Sequence, residues 1–150
     1  MEGYGASGVM LMDSAGAMLP DDVSDRVSNL VDGLRIKVGF HAHNNLSMAV
    51  ANSLAALKAG AKIIDGTTRG LGAGAGNCQL EVLAAVLSKL GYKIDLNLQQ
   101  MMENSEKIVA KIEAKGLLVK VDNNYEHAVP CCYKCNREIE PQIKDCLLYT

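Results

Sequence analysis

Tryptophan is absent, and one phenylalanine and five tyrosines bring the aromatics to only 4% of the 150 residues. A surface that stacks nucleic-acid bases needs several exposed rings, and this composition cannot supply one. Positive charge is not in excess either: fifteen Lys and Arg against seventeen Asp and Glu leave a net charge of -2. No basic stripe exists to neutralise phosphates, so nucleic acid is excluded as a partner. Long apolar runs are also lacking. The stretch 80–87 is broken by Glu81 and falls far short of the ~20 residues that span a bilayer, which excludes a membrane helix. The first residues, Glu2-Gly3-Tyr4-Gly5, carry no basic n-region and no apolar h-region, so the expected location is the cytoplasm. Cysteine is present in an odd number. Cys78 stands alone, while Cys131, Cys132, Cys135 and Cys146 crowd the last twenty residues. Cys132-x-x-Cys135 has no second C-x-x-C or C-x-x-H to complete a zinc site, and free thiols in a reducing compartment are the expectation.

What is present is a hydrophobic fraction of 49%, enough for one domain or for a piece of a larger one. Gly8-Val9-Met10-Leu11-Met12 is an apolar run without alternation, which predicts a strand covered on both faces, as in a parallel sheet. Pro20-Asp21-Asp22 opens a helix with proline early and carboxylates in the first turn, and Val23, Val27, Leu30, Val31 and Leu34 form its apolar stripe. A second strand is predicted over 37–40 and a second helix over 44–59, closed by Gly60. A third strand follows over 61–65 and a third helix over 78–90. The alternation with short connections predicts right-handed crossovers and a parallel sheet. A fourth helix is predicted over 98–115 and a strand over 117–121. Beyond residue 122, Pro130, Pro141 and the cysteines mark an irregular or foreign tail.

The polar signals all follow the carboxyl ends of strands, where α/β folds place their sites. His41-x-His43 ends the second strand. Alternate strand residues share a face, so both imidazoles project the same way. The pair is either half of a metal site, since imidazole suits first-row divalent ions, or a strand end in which one histidine bonds a neighbour. Asp13 and Ser14 either hold substrate or form an Asx-type turn. Asp65 is expected to hydrogen-bond backbone in the turn that follows it, and Arg69 is either a partner for a carboxylate or a solvated loop side chain. Gly70-x-Gly72-x-x-Ala75, with Asp95 about 20 residues on, formally fits a loose dinucleotide fingerprint. Gly66-Thr67-Thr68-Arg69, however, separates it from its strand, and the loop is otherwise a tight connection that lets the third helix pack.

Taken together, Gly39-Phe40-His41-Ala42-His43-Asn44-Asn45-Leu46-Ser47, Leu71-Gly72-Ala73-Gly74-Ala75-Gly76-Asn77 and Asp13-Ser14-x-Gly16-Ala17-Met18 resemble the 4-hydroxy-2-oxovalerate aldolase family. That family lies within the wider superfamily of 3-hydroxy-3-methylglutaryl-CoA lyase and isopropylmalate synthase. The likeness runs from about Tyr4 to about Val121. It implies an α/β fold, a partial (β/α)8 TIM barrel of which this chain supplies the last three strand-helix units, in residues 1–96. Residues 97–121 would begin a C-terminal helical region and 122–150 would be the irregular or foreign tail, ending in residues that look like translated adapter. The resemblance further implies a lyase that cleaves 4-hydroxy-2-oxopentanoate to pyruvate and acetaldehyde with Mn2+, Mg2+ or another divalent ion. His41 and His43 fall on the metal ligands, Ser14 on a serine near the bound 2-keto acid, and Asn77 on an asparagine assigned behind the ligands. An acylating acetaldehyde dehydrogenase is the implied partner.

The departures concern the rest of the site. The aspartate ligand and catalytic arginine of the family's first barrel strand, and the histidine base shortly after them, have no counterpart here, and Tyr125 does not fit the context of its tyrosine acid. A closed barrel needs ~200 or more residues, so the chain reads as a fragment with no complete catalytic set, inactive alone and prone to self-association through open sheet edges. Two alternatives stand beside the aldolase: a Claisen-type condensing enzyme or acyl-CoA lyase of the same superfamily, and a dinucleotide-binding module on the loop 70–76.

Overall fold

The computed structural model describes residues 2–115. The expected strand over 117–121, Tyr125, the four late cysteines and the tail 122–150 lie outside the described residues. Three strands, β1 (Gly8–Asp13), β2 (Lys37–Ala42) and β3 (Ile63–Ile64), form a parallel sheet in the order β1-β2-β3. Helices α1 (Pro20–Gly33), α2 (Ala49–Lys58) and α3 (Leu80–Lys89) follow the three strands in turn, and α4 (Leu98–Ala114) follows α3. Short 3-10 turns cover Glu2–Tyr4 and Thr68–Gly70. No helix among the described residues is long and apolar enough to cross a membrane.

Local chemistry sets the boundaries. Pro20 begins α1 with its φ already helical, and the Asp22 carboxylate accepts the Leu19 N–H at 3.0 Å. The α2 helix, expected over 44–59, starts only at Ala49. Residues 44–48 turn instead, because Asn44 competes for the backbone: its C=O accepts the Ser47 N–H at 2.8 Å and its Oδ1 accepts the Ala49 N–H at 3.1 Å. Ser47 sits at a φ of 58°, which no helix permits. The third strand, expected over 61–65, is only two residues long, whereas β2 runs two residues past its expected end at Phe40.

Parallel register decides which side chains share a face. Gly8 to Asp13 pair in order with Lys37 to Ala42, and Gly39 and Phe40 pair with Ile63 and Ile64. Val38, Phe40 and Ala42 point to the helices and are buried against Val23 and Val27 of α1, Ala49, Ala55 and Ala56 of α2, and Leu83 of α3. Burying a side chain of the size of Phe40 or Val23 contributes roughly 1.5–3 kcal/mol, so this layer carries most of the stability. The opposite face is different. Met10, Met12 and Ile63 are 36%, 48% and 40% exposed. The apolar run of β1 led to the expectation of cover on both faces, and among the described residues helices cover one. Along β1 an apolar groove of about 600 Å³ is lined by Gly8, Val9, Met10, Leu11, Leu30 and Leu34.

Asp13 ends β1 and is only 2% exposed. Its two carboxylate oxygens accept the N–H groups of Ala17 (3.1 Å) and Met18 (3.2 Å), which closes the loop onto the strand end. Asp13→Ala should strand both donors and lower stability by roughly 1–3 kcal/mol, read as a shift in the urea midpoint.

Candidate metal-binding site at the strand ends

Three loops leave the carboxyl ends of the sheet, and backbone hydrogen bonds tie them into one surface. From the β2 loop, His43 N–H reaches the Asp13 carbonyl at 3.3 Å, Leu46 N–H that of Gly16 at 3.1 Å and Asn44 N–H that of Gly76 at 2.8 Å. Asn45 bridges the other two loops with one amide. Its Nδ2 donates to the Ala15 carbonyl at 2.8 Å and its Oδ1 accepts the Ala75 N–H at 3.0 Å. Nothing in the sequence announces this bridge beyond two consecutive asparagines after a strand.

His41 and His43 stand on this surface with ring centroids 5.2 Å apart and ring planes at 69°. Two imidazoles on one ion, each nitrogen about 2.0–2.1 Å from it, hold their ring centres about 4.5–5.3 Å apart at ordinary ligand angles. The observed separation lies in that range. His41 Nδ1 lies 2.7 Å from Oδ1 of Asp65, which leaves Nε2 as its other nitrogen. Asp65 was expected to bond the backbone of its own turn. It meets the His41 ring instead, because the parallel register sets the residue after β3 beside the end of β2.

His43 is half-buried. Burial first, and then the neighbouring His41, hold its imidazole below the ordinary value, against an opposing pull from the Ala73 backbone and the Asp13 carboxylate. The neutral form, the one that ligates metal, is therefore favoured. Asn77 is joined to His43 by an antiparallel β-bridge, so the two side chains leave the same face of that bridge. The Asn77 Nδ2 donates to the Leu71 carbonyl at 3.0 Å, while its buried Oδ1 has no partner among the described residues. The spacing of the two imidazoles fits a divalent ion as part of its ligand set, with the amide of Asn77 next to His43. Among the described residues no three His, Cys, Asp or Glu side chains converge on one point.

Ser14 is exposed just past β1 on the same rim. Arg69 is exposed in the 3-10 turn at a φ of 57°, and its N–H donates to Glu81 Oε1 at 2.8 Å. Cys78 is fully buried in the helix-facing core, and burial pushes its thiol up. It is a packing residue and not an available nucleophile.

The glycine loop does not make the strand-to-helix turn of a dinucleotide site. It folds back on itself. The N–H groups of Gly70, Leu71, Gly76 and Asn77 go to the carbonyls of Thr67, Thr68, Ala73 and Gly70, and that of Ala75 goes to Asn45. Amides spent in this way cannot cradle a pyrophosphate, and Asp95 lies exposed beyond α3.

The HMGL-like family model matches residues 1–108. The 4-hydroxy-2-oxovalerate aldolase of Pectobacterium atrosepticum is 57% identical over 106 residues, which is 71% of this chain and 31% of that protein. That of Thermomicrobium roseum is 57% identical over 112 residues, 75% of this chain and 32% of that protein. The chain thus spans about a third of the length of the curated relatives it matches. Among solved structures, the HMG-CoA lyase of Bacillus subtilis aligns with a TM-score of 0.69 at 25% identity, covering 75% of this chain and 40% of that one. The HMG-CoA lyase of Brucella melitensis shares the fold, with a TM-score of 0.68 at 21% identity over 75% of this chain and 42% of that one. The three parallel strand-helix units are accordingly part of a (β/α)8 barrel. The bare sheet face is then the side turned to the barrel interior, and on the family model that spans residues 1–108 the chain belongs to the HMGL-like family.

Proposed function

We propose that this chain supplies the two-histidine part of a divalent-metal site in an aldolase that cleaves 4-hydroxy-2-oxovalerate to pyruvate and acetaldehyde. Residues 1–96 serve as the C-terminal part of its barrel, and α4 begins the helical region that follows. The observation that carries the proposal is the pair of imidazoles at the strand ends, 5.2 Å apart and facing one rim. The identity of 57% to proteins named for this activity supports the same reading.

In that enzyme His41 and His43 hold the ion and do not themselves move a proton. Asn77 braces the site through its amide, and Ser14 lies near the bound 2-keto acid at the mouth of the β1 loop. A divalent ion, when bound, supplies Lewis acidity where negative charge develops on the keto acid as its C3–C4 bond breaks. The ion is Mn2+, Mg2+ or another divalent cation. The remaining ligand and the base come from outside residues 2–115. The acetaldehyde released passes to an acylating acetaldehyde dehydrogenase, and the enzyme works in the cytoplasm.

The test is a chimera in which residues 4–108 replace the matching segment of the Thermomicrobium roseum aldolase. It should release pyruvate from 4-hydroxy-2-oxovalerate, and a chelator should abolish that release. A folded chimera that consumes acyl-CoA and yields no pyruvate would overturn the aldolase assignment in favour of the condensing or lyase branch.

A further inference from the structure

Asp65 belongs to no role assigned so far, yet its carboxylate is the one acidic group that touches either imidazole among the described residues. The contact, Nδ1 to Oδ1 at 2.7 Å, is at the short end for a nitrogen donor and an oxygen acceptor. An ionised carboxylate only accepts, and a neutral imidazole has one N–H, so that proton sits on Nδ1 and the lone pair on Nε2. The backbone fixes the approach. Gly39 and Phe40 pair with Ile63 and Ile64, and one step further along the same register sets His41 beside Asp65. Asp13, the other carboxylate near the pair, has both oxygens committed to the N–H groups of Ala17 and Met18. Among the described residues His43 therefore has no equivalent carboxylate partner.

We propose that Asp65 is a positioning residue. It holds His41 in the Nδ1–H tautomer and fixes the ring so that Nε2 faces the rim where, on the reading above, the ion binds. A carboxylate behind a ligating histidine orients the ring and raises its basicity, and losing such a partner typically costs about 10–100-fold in metal affinity. The side chain of Asp65 is 51% exposed, so water screens its charge. The expected loss for Asp65→Ala is accordingly at the lower end, about tenfold.

Long-range 1H–15N spectra of the full chain at pH 8, where an imidazole is neutral, read the tautomer directly without metal. Wild-type His41 should show an unprotonated Nε2. Asp65→Ala should move it toward the Nε2–H form and leave His43 unchanged. Asp65→Asn, whose amide oxygen still accepts, should keep the wild-type tautomer. Titration with Mn2+, followed by broadening of the two histidine rings, should then rank wild type above Asp65→Asn above Asp65→Ala at nearly equal melting temperatures. A wild-type His41 protonated on Nε2, or a tautomer that ignores Asp65→Ala, overturns the assignment, and the first of these needs no variant to fold. A fixed tautomer with no broadening by Mn2+ supports Asp65 as the holder of the ring and removes the metal reading alone.

Discussion

His43→Ala and His41→Ala should each reduce binding of Mn2+ to this chain by about a hundredfold or more. The loss of a residue behind a ligand already costs about 10–100-fold, and these two are the ligands themselves. Broadening of the remaining ring by Mn2+ reports the loss in the chain. In the chimera, pyruvate release by either variant should fall to the level left by a chelator. Acidification gives a second handle with a definite sign. Burial and His41 hold the His43 imidazole below the ordinary value, so at about pH 6.5, where a free imidazole is half protonated, His43 is still mostly neutral. Its contribution to binding should persist at that pH and decline only as the pH falls toward the lowered value. The same shift weakens the fold in the same direction. The unfolded chain takes up this proton first, so stability from a neutral His43 is complete above about 6.5 and is lost as the pH falls below it. Retention of Mn2+ binding by His43→Ala would sink the metal assignment.

The histidine pair was legible in the sequence because it depends on local geometry alone. Alternate residues of a strand share a face, and nothing distant has to be known to place His41 and His43 together. The same holds for α1, where proline, early carboxylates and the spacing of Val23 and Val27 agree. What could not be read is what depends on register or on side-chain competition. Asp65 reaches His41 only because β3 lies beside β2, a pairing between residues 24 positions apart. Asn44 shortens α2 by satisfying the backbone in a turn, and the high alanine content of 44–59 hides that competition. An apolar run such as β1 says that a strand is buried somewhere and not what covers it. The helices lie on one side of Met10 and Met12 and leave the other to the barrel interior. The glycine loop misleads for a related reason. Its composition fits a phosphate cradle, while its hydrogen bonds show a loop folded onto its own carbonyls and onto Asn45.

That loop is also where a single methyl group should do most damage to stability. Gly76 is buried at a φ of 89°, and a Cβ there would run into the carbonyl oxygen of Gly70. The oxygen cannot move aside without cost, because it accepts the Asn77 N–H at 2.9 Å. The Gly76 carbonyl meanwhile holds the Asn44 N–H at 2.8 Å, so displacing the loop also loosens the turn after His43. Strain at a positive φ and overlap with backbone atoms each cost about 1–3 kcal/mol, so Gly76→Ala should lose roughly 2–6 kcal/mol. For a domain whose whole stability is about 5–15 kcal/mol, that is a large share, and the urea midpoint should drop accordingly. Gly33→Ala provides the contrast. Among the described residues no atom lies within 4 Å of a Cβ built at Gly33, at the end of α1, and the φ there is not positive. Alanine in a helix is favoured over glycine by roughly 0.5–1 kcal/mol, so this variant should match or exceed the wild type. A Gly76→Ala chain as stable as Gly33→Ala would mean that the loop does not fold back over Gly70. It would also leave His43 and Asn77 without the scaffold that brings them to one face.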